Sequence, residues 1–360
     1  MASEFVMTGL RKTLFHWGAG ALLSTLFIWV VCIIFLNTYP RITRDSILGE
    51  IVPVPGSVQR WRSEGWGNTH YGQHGLLAEE ESFALSDAPK VLLWGDSYVQ
   101  SLQVSNDKKI ASVFNSMSQG NPYYCLTLGQ GGATVPYYYF VMPSYMKKLS
   151  GIKGHAILLS GMNDVLPYRG SNRLGRFLPA PWRLEDGTYR SWAGPNWKGA
   201  LFGPIIEYLE LTPFLNLYKK IKNYPFRLLP NMVNGATAKS QPTPASYDLD
   251  EGWRFLLSNL QQQSTGFFTF IYCPETPLIK QSIVEFEDRE ADLAEQFKRI
   301  CKEKGISFID MTDPFKAFYL KENKMTRGFI NSPPGTGHFN EHGLRLIAQA
   351  LHKHFAEVGK

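Results

Sequence analysis

The chain has 360 residues, of which 44% are hydrophobic, 14% aromatic and 19% charged. A chain of this length and composition can bury a sizeable core, which excludes a disordered or fibrous protein. The net charge of +6 is spread over both halves of the chain, and basic runs such as residues 219–222 are short. Nucleic-acid binding requires a denser basic face, so we expect no nucleic-acid partner.

The N-terminal segment predicts a membrane anchor. Asp, Glu, Lys and Arg are absent between Lys12 and Arg41, and this window contains the apolar run Leu14–Leu36. Such a run is long enough to cross a hydrocarbon core of about 30 Å. A cleaved signal peptide would need a shorter apolar run and a small-residue cleavage site, and neither is evident. We therefore predict a short tail over residues 1–13 and an uncleaved transmembrane helix over residues 14–36.

The orientation of this anchor follows from the size of the flanking parts rather than from their charge. Arg11 and Lys12 precede the span, and Arg41 and Arg44 follow it, so the count of positive residues is equal on the two sides. A short N-terminal tail and a large remainder favour an N-terminus in the cytoplasm. The globular part is then expected in the periplasm or outside the cell.

Residues 37–84 have the composition of an irregular lead-in segment, and apolar runs of strand length follow it. These runs are Lys90–Trp94, Tyr124–Leu128, His155–Leu159, Phe267–Tyr272 and Ile306–Asp310. Helical spacing of apolar residues separates several of them, as in residues 110–117 and 283–304. Such alternation predicts an α/β domain over residues 85–358 with a doubly wound, mainly parallel sheet. Residues 166–246 interrupt this alternation of strands and helices. We interpret them as a long insertion that covers the functional site.

Chemically distinctive residues follow three of the predicted strands. Gly95–Ser97 follows the first strand, Gly129–Thr134 the second and Gly161–Asp164 the third, while Gly337–Gly343 contains His338 near the C-terminus. Functional groups of doubly wound sheets gather beyond the carboxyl ends of the strands. We therefore expect these segments to face one cleft.

Each segment alone has an ordinary structural explanation. Gly-Asp-Ser and Gly-x-Asn-Asp are common turns, His338 could be a hydrogen-bonded loop residue, and Asn340 can cap a final helix. Together, however, the segments supply a hydroxyl at a strand-to-helix turn, backbone donors in a glycine-rich loop, an amide and an imidazole. This combination favours a catalytic site.

The four segments together resemble those of the SGNH (GDSL-type) hydrolases, and the resemblance covers most of the chain after about Trp66. It implies a flavodoxin-like α/β fold, as in bacterial members with membrane-anchored or secreted domains. By the same resemblance, Ser97 is the nucleophile and His338 its base. The backbone N–H groups of Ser97 and Gly132 and the side-chain amide of Asn163 would form the oxyanion hole.

One position departs from the family pattern. The family normally has Asp three residues before its histidine, where this chain has Gly335. That Asp orients the imidazole and stabilises the imidazolium that forms during catalysis. Three alternatives remain open: a backbone carbonyl orients His338, a carboxylate from elsewhere replaces the Asp, or the protein is slow or inactive. The candidate carboxylates are Asp310, Asp313 and Glu341.

No metal or other cofactor is expected. His338, Glu341 and His342 match the H-x-x-E-H pattern of some zinc peptidases. A helix that starts near Asn340 would leave His338 outside it, and few residues remain downstream for a third ligand. The cysteines after the apolar run are widely and irregularly spaced, which fits neither a zinc motif nor a disulfide framework.

The expected chemistry is acyl transfer through an acyl-Ser97 intermediate. One hypothesis is an esterase or O-acetyltransferase that acts on acylated cell-surface carbohydrate, the transferase working beside a multi-pass membrane protein that donates the acyl group. A second is a lipid esterase or thioesterase, for which membrane proximity is equally useful. A third is a non-catalytic scaffold or binding protein. This hypothesis stays open because the chain has Gly335 where the family has Asp.

Overall fold

The computed structural model describes residues 2–45, 48, 51–117, 121–165 and 249–358, together with residues 182–185 and 188–191 and isolated positions between 205 and 218. The chain forms two compact units. One comprises Met1–Tyr39 and Asn196–Lys239, and the other comprises Pro40–Pro195 and Ser240–Lys360. The candidate functional residues all lie in the second unit.

The N-terminal helix, Ala2–Phe35, contains the apolar segment that the sequence singles out. Within it, Arg11–Phe35 has a mean hydropathy of 2.3 and is long enough to cross a membrane. Large apolar side chains along this segment, such as Phe15 and Trp17, are exposed. Length, composition and exposure make the helix a candidate span, as predicted.

Short strands and helices follow the first helix in chain order. Among the described residues, the strands are β1 Ile42–Arg44, β2 Ile51–Pro53, β3 Val58–Trp61, β4 Gly67–His70, β5 Lys90–Gly95, β6 Tyr124–Gly129, β7 Ile152–Leu159, β8 Trp182–Glu185, β9 Thr188–Ser191, β10 Phe267–Tyr272, β11 Leu278–Lys280, β12 Ile283–Glu285 and β13 Ser307–Asp310. The α-helices are α1 Ala2–Phe35, α2 Glu81–Ala84, α3 Ser97–Gln100, α4 Ile110–Ser116, α5 Val135–Lys148, α6 Leu249–Gln263, α7 Ala291–Glu303, α8 Thr312–Glu322 and α9 Glu341–Val358.

The central sheet has five strands in the order β13-β10-β7-β5-β6, and all of its neighbouring pairs are parallel. The chain starts at β5, moves to the edge strand β6 and then returns across β5 to β7. This reversal is the topological switch point of a doubly wound sheet, where ligands bind beyond the carboxyl ends of the strands. The predicted fold class, a doubly wound parallel sheet, is confirmed.

Both faces of this sheet are buried, which explains why its strands are continuous apolar runs in the sequence. Along β5, Leu92 and Trp94 belong to one core, while Val91 and Leu93 belong to the core on the opposite face. This alternation is the period-2 geometry of a strand between two helical layers. The nucleophile candidate at the end of β5 is therefore attached to the most enclosed part of the sheet.

The lead-in segment is more regular than the sequence suggests. Strands β1 and β2 pair antiparallel, as do β3 and β4. The turn after β3 packs directly on the chain that follows α3, because a Cβ atom at Gly65 would lie 2.3 Å from the carbonyl oxygen of Gln103. Of the predicted insertion over residues 166–246, the structure describes the antiparallel pair β8–β9 and isolated positions, and the rest lies outside the described residues.

Candidate active site

Ser97 is the first residue of helix α3, immediately beyond the carboxyl end of β5. Asp96 caps this helix, since its Oδ1 accepts a hydrogen bond from the backbone N–H of Tyr98 at 2.9 Å. Gly129, at the end of β6, lets the helix approach, because a Cβ atom there would lie 2.2 Å from the backbone nitrogen of Gln100. The strand end, the cap and the neighbouring glycine thus fix where the Ser97 hydroxyl stands.

His338 lies against Ser97, as the sequence predicts for these two residues. The Ser97 Oγ and the His338 Nε2 are 2.9 Å apart, within hydrogen-bond reach. The imidazole also packs against the ring of Tyr98, with 4.7 Å between ring centroids. Residues 241 positions apart in the chain therefore form a hydroxyl–imidazole pair.

The residue that orients His338 is Glu64, which the sequence analysis did not consider. The Glu64 Oε2 lies 2.5 Å from the His338 Nδ1, and the Glu64 Oε1 accepts a hydrogen bond of 2.8 Å from the backbone N–H of His338. With Nδ1 donating to the carboxylate, Nε2 is left as the acceptor for the Ser97 hydroxyl. Ser97, His338 and Glu64 therefore form a continuous chain of contacts with the geometry of a catalytic triad.

Of the alternatives left open for His338, a carboxylate from elsewhere in the chain is the one found, but it is Glu64 and none of the three candidates named from the sequence. Asp310 Oδ1 accepts hydrogen bonds from the backbone N–H and hydroxyl of Thr312, and Glu341 forms an ion pair with Lys108 at 2.6 Å. Asp313 is exposed in the first turn of α8. A backbone carbonyl is not the partner either, because the carboxylate of Glu64 faces Nδ1.

The turn that bears Glu64 is fastened to the loop that bears His338. The side chain of Asn331 accepts a hydrogen bond from the backbone N–H of Gly65 at 2.7 Å and donates to the carbonyl oxygens of Arg62 and Gly65. The side chain of Gln103 also hydrogen-bonds to Glu64. These contacts hold the carboxylate in place before any ligand binds, so the imidazole is preorganised.

Glu64 is held in its charged form. Burial acts to raise the pKa of its carboxyl, but the hydrogen bonds from the ring and backbone of His338, with a smaller contribution from Gln103, outweigh it and lower the pKa below its ordinary value. The carboxylate is 16% exposed. A negative charge at this position would favour an imidazolium if His338 acted as a base.

The buried side chain of Arg327 holds the loop that bears His338. The Arg327 guanidinium donates to the carbonyl oxygen of Gly337 at 3.1 Å and to those of Cys273 and Pro274, just beyond β10. It also lies 4.8 Å from the centroid of the Tyr98 ring. Arg327 therefore links the loop that bears His338 to the end of β10 and to helix α3. Sequence reasoning missed it because its neighbours in the chain match no motif.

The two segments predicted to supply the oxyanion hole also follow strands that flank β5. Gly132 has a φ of +78°, which favours glycine, and a Cβ atom on the adjacent Gly131 would lie 3.9 Å from the Cβ atom of Ser97. Asn163 is exposed on the 3₁₀ turn Met162–Val165. The glycine loop thus lies beside Ser97, and the oxyanion roles of Ser97, Gly132 and Asn163 stay predictions.

Acidic side chains hold the turn that bears Asn163. Glu290 Oε2 accepts a hydrogen bond from the backbone N–H of Met162 at 2.8 Å, and Asp164 Oδ2 accepts from the backbone N–H and hydroxyl of Ser160 at 2.7 and 3.0 Å. The same hydroxyl lies 3.3 Å from Oδ2 of Asp96. Burial, followed by the charge of Asp96, raises the pKa of Asp164 to about 7. Burial likewise raises the pKa of Asp96.

The residues of the H-x-x-E-H pattern do not converge as metal ligands. His338 faces Ser97 and Glu64, Glu341 faces Lys108, and His342 packs on the ring of Phe318 with centroids 5.6 Å apart. Within the part of the chain that the structure describes, no group of three His, Cys, Asp or Glu side chains is arranged to hold a metal ion.

The fold and site define an α/β protein with a Ser–His–Glu arrangement at the switch point of its sheet. No family model matches the chain, and no curated protein matches it. Three similar solved structures are a member of the lipolytic protein G-D-S-L family from Veillonella parvula, an acetylxylan esterase from Geobacillus stearothermophilus and an extracellular lipase from Streptomyces rimosus.

These likenesses are distant. Sequence identities to the three structures are 14%, 11% and 11%, and the TM-scores are 0.35, 0.38 and 0.39, in the same order. The alignments cover 74%, 76% and 74% of this chain and 97%, 96% and 99% of those chains. Any assignment of chemistry to this chain therefore rests on its own residues.

Glu64→Gln is expected to slow the reaction of Ser97 strongly. The amide cannot carry the negative charge that favours the imidazolium, and it can also present a donor to Nδ1, which selects the wrong tautomer of His338. Comparable changes in Ser–His–Asp triads lower kcat by about 10,000-fold, and we expect a loss of about 1,000-fold or more. The measurement is the rate at which a fluorophosphonate labels Ser97. Asp313→Asn is the matched control and should label at the wild-type rate; equal rates for Glu64→Gln and wild type would exclude Glu64 from the triad.

Gly337→Ala is expected to displace the carboxylate of Glu64. A Cβ atom at residue 337 would lie 2.1 Å from Glu64 Oε1, whereas one at Gly305 meets nothing within 4 Å, although both glycines have a positive φ of about 70°. Both alanine variants should lose about 1–2 kcal/mol of stability from the left-handed backbone. Only Gly337→Ala should also slow fluorophosphonate labelling, by about 100-fold. Equal labelling rates in the two variants would show that the contact with Glu64 does not matter.

Asp164→Asn is expected to change how stability depends on pH. The ordinary pKa of this carboxyl is 3.8 and its folded-state pKa is about 7, so between these values the folded chain binds a proton that the unfolded chain does not. The contribution of Asp164 to the free energy of unfolding therefore falls as pH rises from about 4 to about 7. The measurement is the thermal midpoint of unfolding of the wild type and of the variant at pH 5 and at pH 8. The midpoint of the variant minus that of the wild type should be larger at pH 8 than at pH 5. A difference that is the same at both pH values would contradict the raised pKa.

Proposed function

We propose that this chain is a serine ester hydrolase or O-acyltransferase of the SGNH type. The single observation that carries the proposal is the contact chain from Glu64 through His338 to Ser97. A hydroxyl within reach of an imidazole, whose other nitrogen faces a carboxylate, is the arrangement that activates serine as a nucleophile. The position of Ser97 beyond a central strand at the switch point of the sheet supports the same reaction class.

The proposed reaction proceeds in two halves. His338 Nε2 takes the proton of the Ser97 hydroxyl while Oγ attacks the ester carbonyl, and Glu64 stabilises the resulting imidazolium. The tetrahedral oxyanion is held by the backbone N–H groups of Ser97 and Gly132 and by the amide of Asn163. As the intermediate collapses, the C–O bond to the alcohol breaks and the imidazolium gives its proton to the leaving oxygen. An acyl-Ser97 intermediate remains.

The second half transfers the acyl group to an acceptor. His338 takes a proton from water or from a sugar hydroxyl, whose oxygen attacks the acyl-Ser97 carbonyl. Collapse then releases Ser97, which recovers its proton from the imidazolium. Water as acceptor makes the protein an esterase, and a sugar hydroxyl makes it a transferase. A transferase would receive its acyl group from a donor such as a multi-pass membrane protein.

We propose acylated, principally acetylated, cell-surface carbohydrate as the substrate. The helix Arg11–Phe35 supports a location at a membrane. The short N-terminal tail and the large remainder favour a Ser97 domain in the periplasm or outside the cell. The half-exposed indole of Trp66, two residues from Glu64, supports a sugar-binding surface beside the site. With Glu64 facing His338, the departure at Gly335 no longer favours a non-catalytic scaffold.

A lipid ester or thioester is the second candidate substrate, favoured by a different observation. A cavity of 280 Å³ adjoins the loop after β6, and its lining includes Trp94, Leu128, Gln130, Tyr137 and Val141. Aliphatic and aromatic side chains of this kind suit an acyl chain. The two candidate substrates differ in the group attached to the scissile ester, which is a sugar in the first and a long acyl chain in the second.

The proposal predicts that Ser97 becomes acylated. Full-length protein in detergent, incubated with p-nitrophenyl acetate, should release p-nitrophenol and carry an acetyl group on Ser97 that mass spectrometry detects after rapid quenching. Ser97→Ala and His338→Ala should each lower turnover by at least about 1,000-fold, because the two groups act as a unit. Absence of turnover and of adduct in the wild type would refute an enzymatic function.

The same assay separates the candidate substrates and acceptors. Faster turnover of acetylated oligosaccharides than of medium-chain acyl esters supports the carbohydrate substrate, and the reverse supports the lipid substrate. Added non-acetylated oligosaccharide tests the acceptor, since an acetylated sugar product identifies a transferase and free acetate an esterase.

A further inference from the structure

A second cavity lies beside the Glu64 turn. Its volume is 330 Å³, near the lower end of the range of about 300–1,000 Å³ that is typical of small-molecule sites. Its lining includes Trp66, Gln103, Lys108, Phe329, Ile330 and Glu341. None of these residues takes part in the proposed reaction, so the cavity needs an explanation of its own.

Trp66 forms a supported aromatic wall of this cavity. Its side chain is 51% exposed, and the Arg62 guanidinium lies 4.5 Å from the centroid of its ring. That guanidinium is itself fixed, since it donates to the carbonyl oxygens of Trp61 and Gly67 and to Oδ1 of Asn68. The indole is therefore backed by an anchored cation and held in position while much of its surface stays in contact with solvent.

The remaining lining combines apolar surface with hydrogen-bonding groups and a balanced charge. Phe329 and the fully exposed Ile330 continue the apolar wall. Lys108 and Glu341 carry opposite charges and pair at 2.6 Å, so they neutralise each other. Burial, followed by the charge of Arg345, lowers the pKa of the lining His342, which disfavours the charged form of its imidazole. A ligand for this cavity should be neutral, with one apolar face and several hydroxyl groups.

Gln103 joins the cavity to the triad. It lines the cavity, its carbonyl oxygen accepts a hydrogen bond of 3.0 Å from the backbone N–H of Trp66, and its side chain hydrogen-bonds to Glu64. From the cavity, the order of contacts runs through Gln103, Glu64 and His338 to Ser97. Ser97 is not among the lining residues, and the contacts from the cavity reach it through Glu64 and His338, so we assign the cavity to a part of the ligand other than the scissile ester.

We propose that this cavity binds a neutral pyranose unit of the carbohydrate substrate, other than the unit that bears the ester. The C–H face of the sugar packs on Trp66, because polarised C–H groups are attracted to the negative face of an indole. Its hydroxyl groups reach Lys108, Glu341 and the other polar lining residues. This inference rests on the proposed function and deepens it, since it adds a subsite that selects a glycan chain over an isolated acetyl ester.

The test is direct binding of sugars that carry no O-acyl ester, which does not depend on turnover. Full-length protein in detergent is titrated by calorimetry with neutral hexasaccharides of the xylan, glucan and N-acetylglucosamine types. At least one hexasaccharide should bind the wild type saturably. Trp66→Ala should weaken that binding by about tenfold or more, and Trp66→Phe should retain part of it because an aromatic face remains. Phe255→Ala, which removes a 72% exposed aromatic side chain on α6, should bind like the wild type.

Two results would overturn the subsite: no saturable binding of any hexasaccharide to the wild type, or equal binding by Trp66→Ala and the wild type. A thermal melt of each variant checks that it is folded. Acetylation of Ser97 in the same preparation distinguishes the two proposals. A protein that acylates Ser97 but binds no hexasaccharide refutes the subsite alone, whereas one that binds the sugar without acylation refutes the catalytic function.

Discussion

The site depends on one interaction, the double contact between the carboxylate of Glu64 and His338. One oxygen faces the ring Nδ1 and the other accepts the backbone N–H of the same residue. A single contact to the ring would leave the imidazole free to swing about its χ angles. The two contacts fix both the ring and the backbone from which it projects, and they leave Nε2 directed at the Ser97 hydroxyl. The tautomer and the orientation of the imidazole therefore have the same cause.

That interaction in turn requires two remote segments to come very close together. Glu64 and His338 are 274 residues apart, and the carboxylate fits only because residue 337 has no side chain. Asn331 fastens the Gly65 backbone to the histidine loop, and Arg327 ties the same loop to the end of β10. The loop that bears His338 is therefore held by contacts on both sides. Because one of these contacts comes from Glu64, the lead-in segment is part of the site and not only a connection between the first helix and the sheet.

The sequence predicts the sheet well because its strands are buried on both faces. Runs such as Val91–Trp94 and Ala156–Leu159 are apolar without interruption, and the motifs stand directly after them, so their shared location follows from the topology. Glu64 leaves no such signal. It lies in a turn between two four-residue strands, where hydrophobic periodicity is too short to read, and its partner is set by tertiary packing. The absence of Asp at residue 335 left open whether a backbone carbonyl or a carboxylate from elsewhere faces His338, and nothing in the sequence singled out Glu64.

The surroundings of the acidic residues set them to different charge states around one site. Glu64 receives hydrogen bonds from His338, which keep it ionised where the imidazolium forms. Asp96 and Asp164 share the hydroxyl of Ser160 and are largely buried, and the charge of Asp96 raises the cost of ionising Asp164. Asp164 therefore retains a proton in a large share of the molecules at neutral pH. In the proposed reaction, an ionised pair at this position would oppose the negative charge that develops near Asn163, and protonation would remove part of that opposition. The same type of side chain thus favours positive charge on one side of Ser97 and tolerates negative charge on the other.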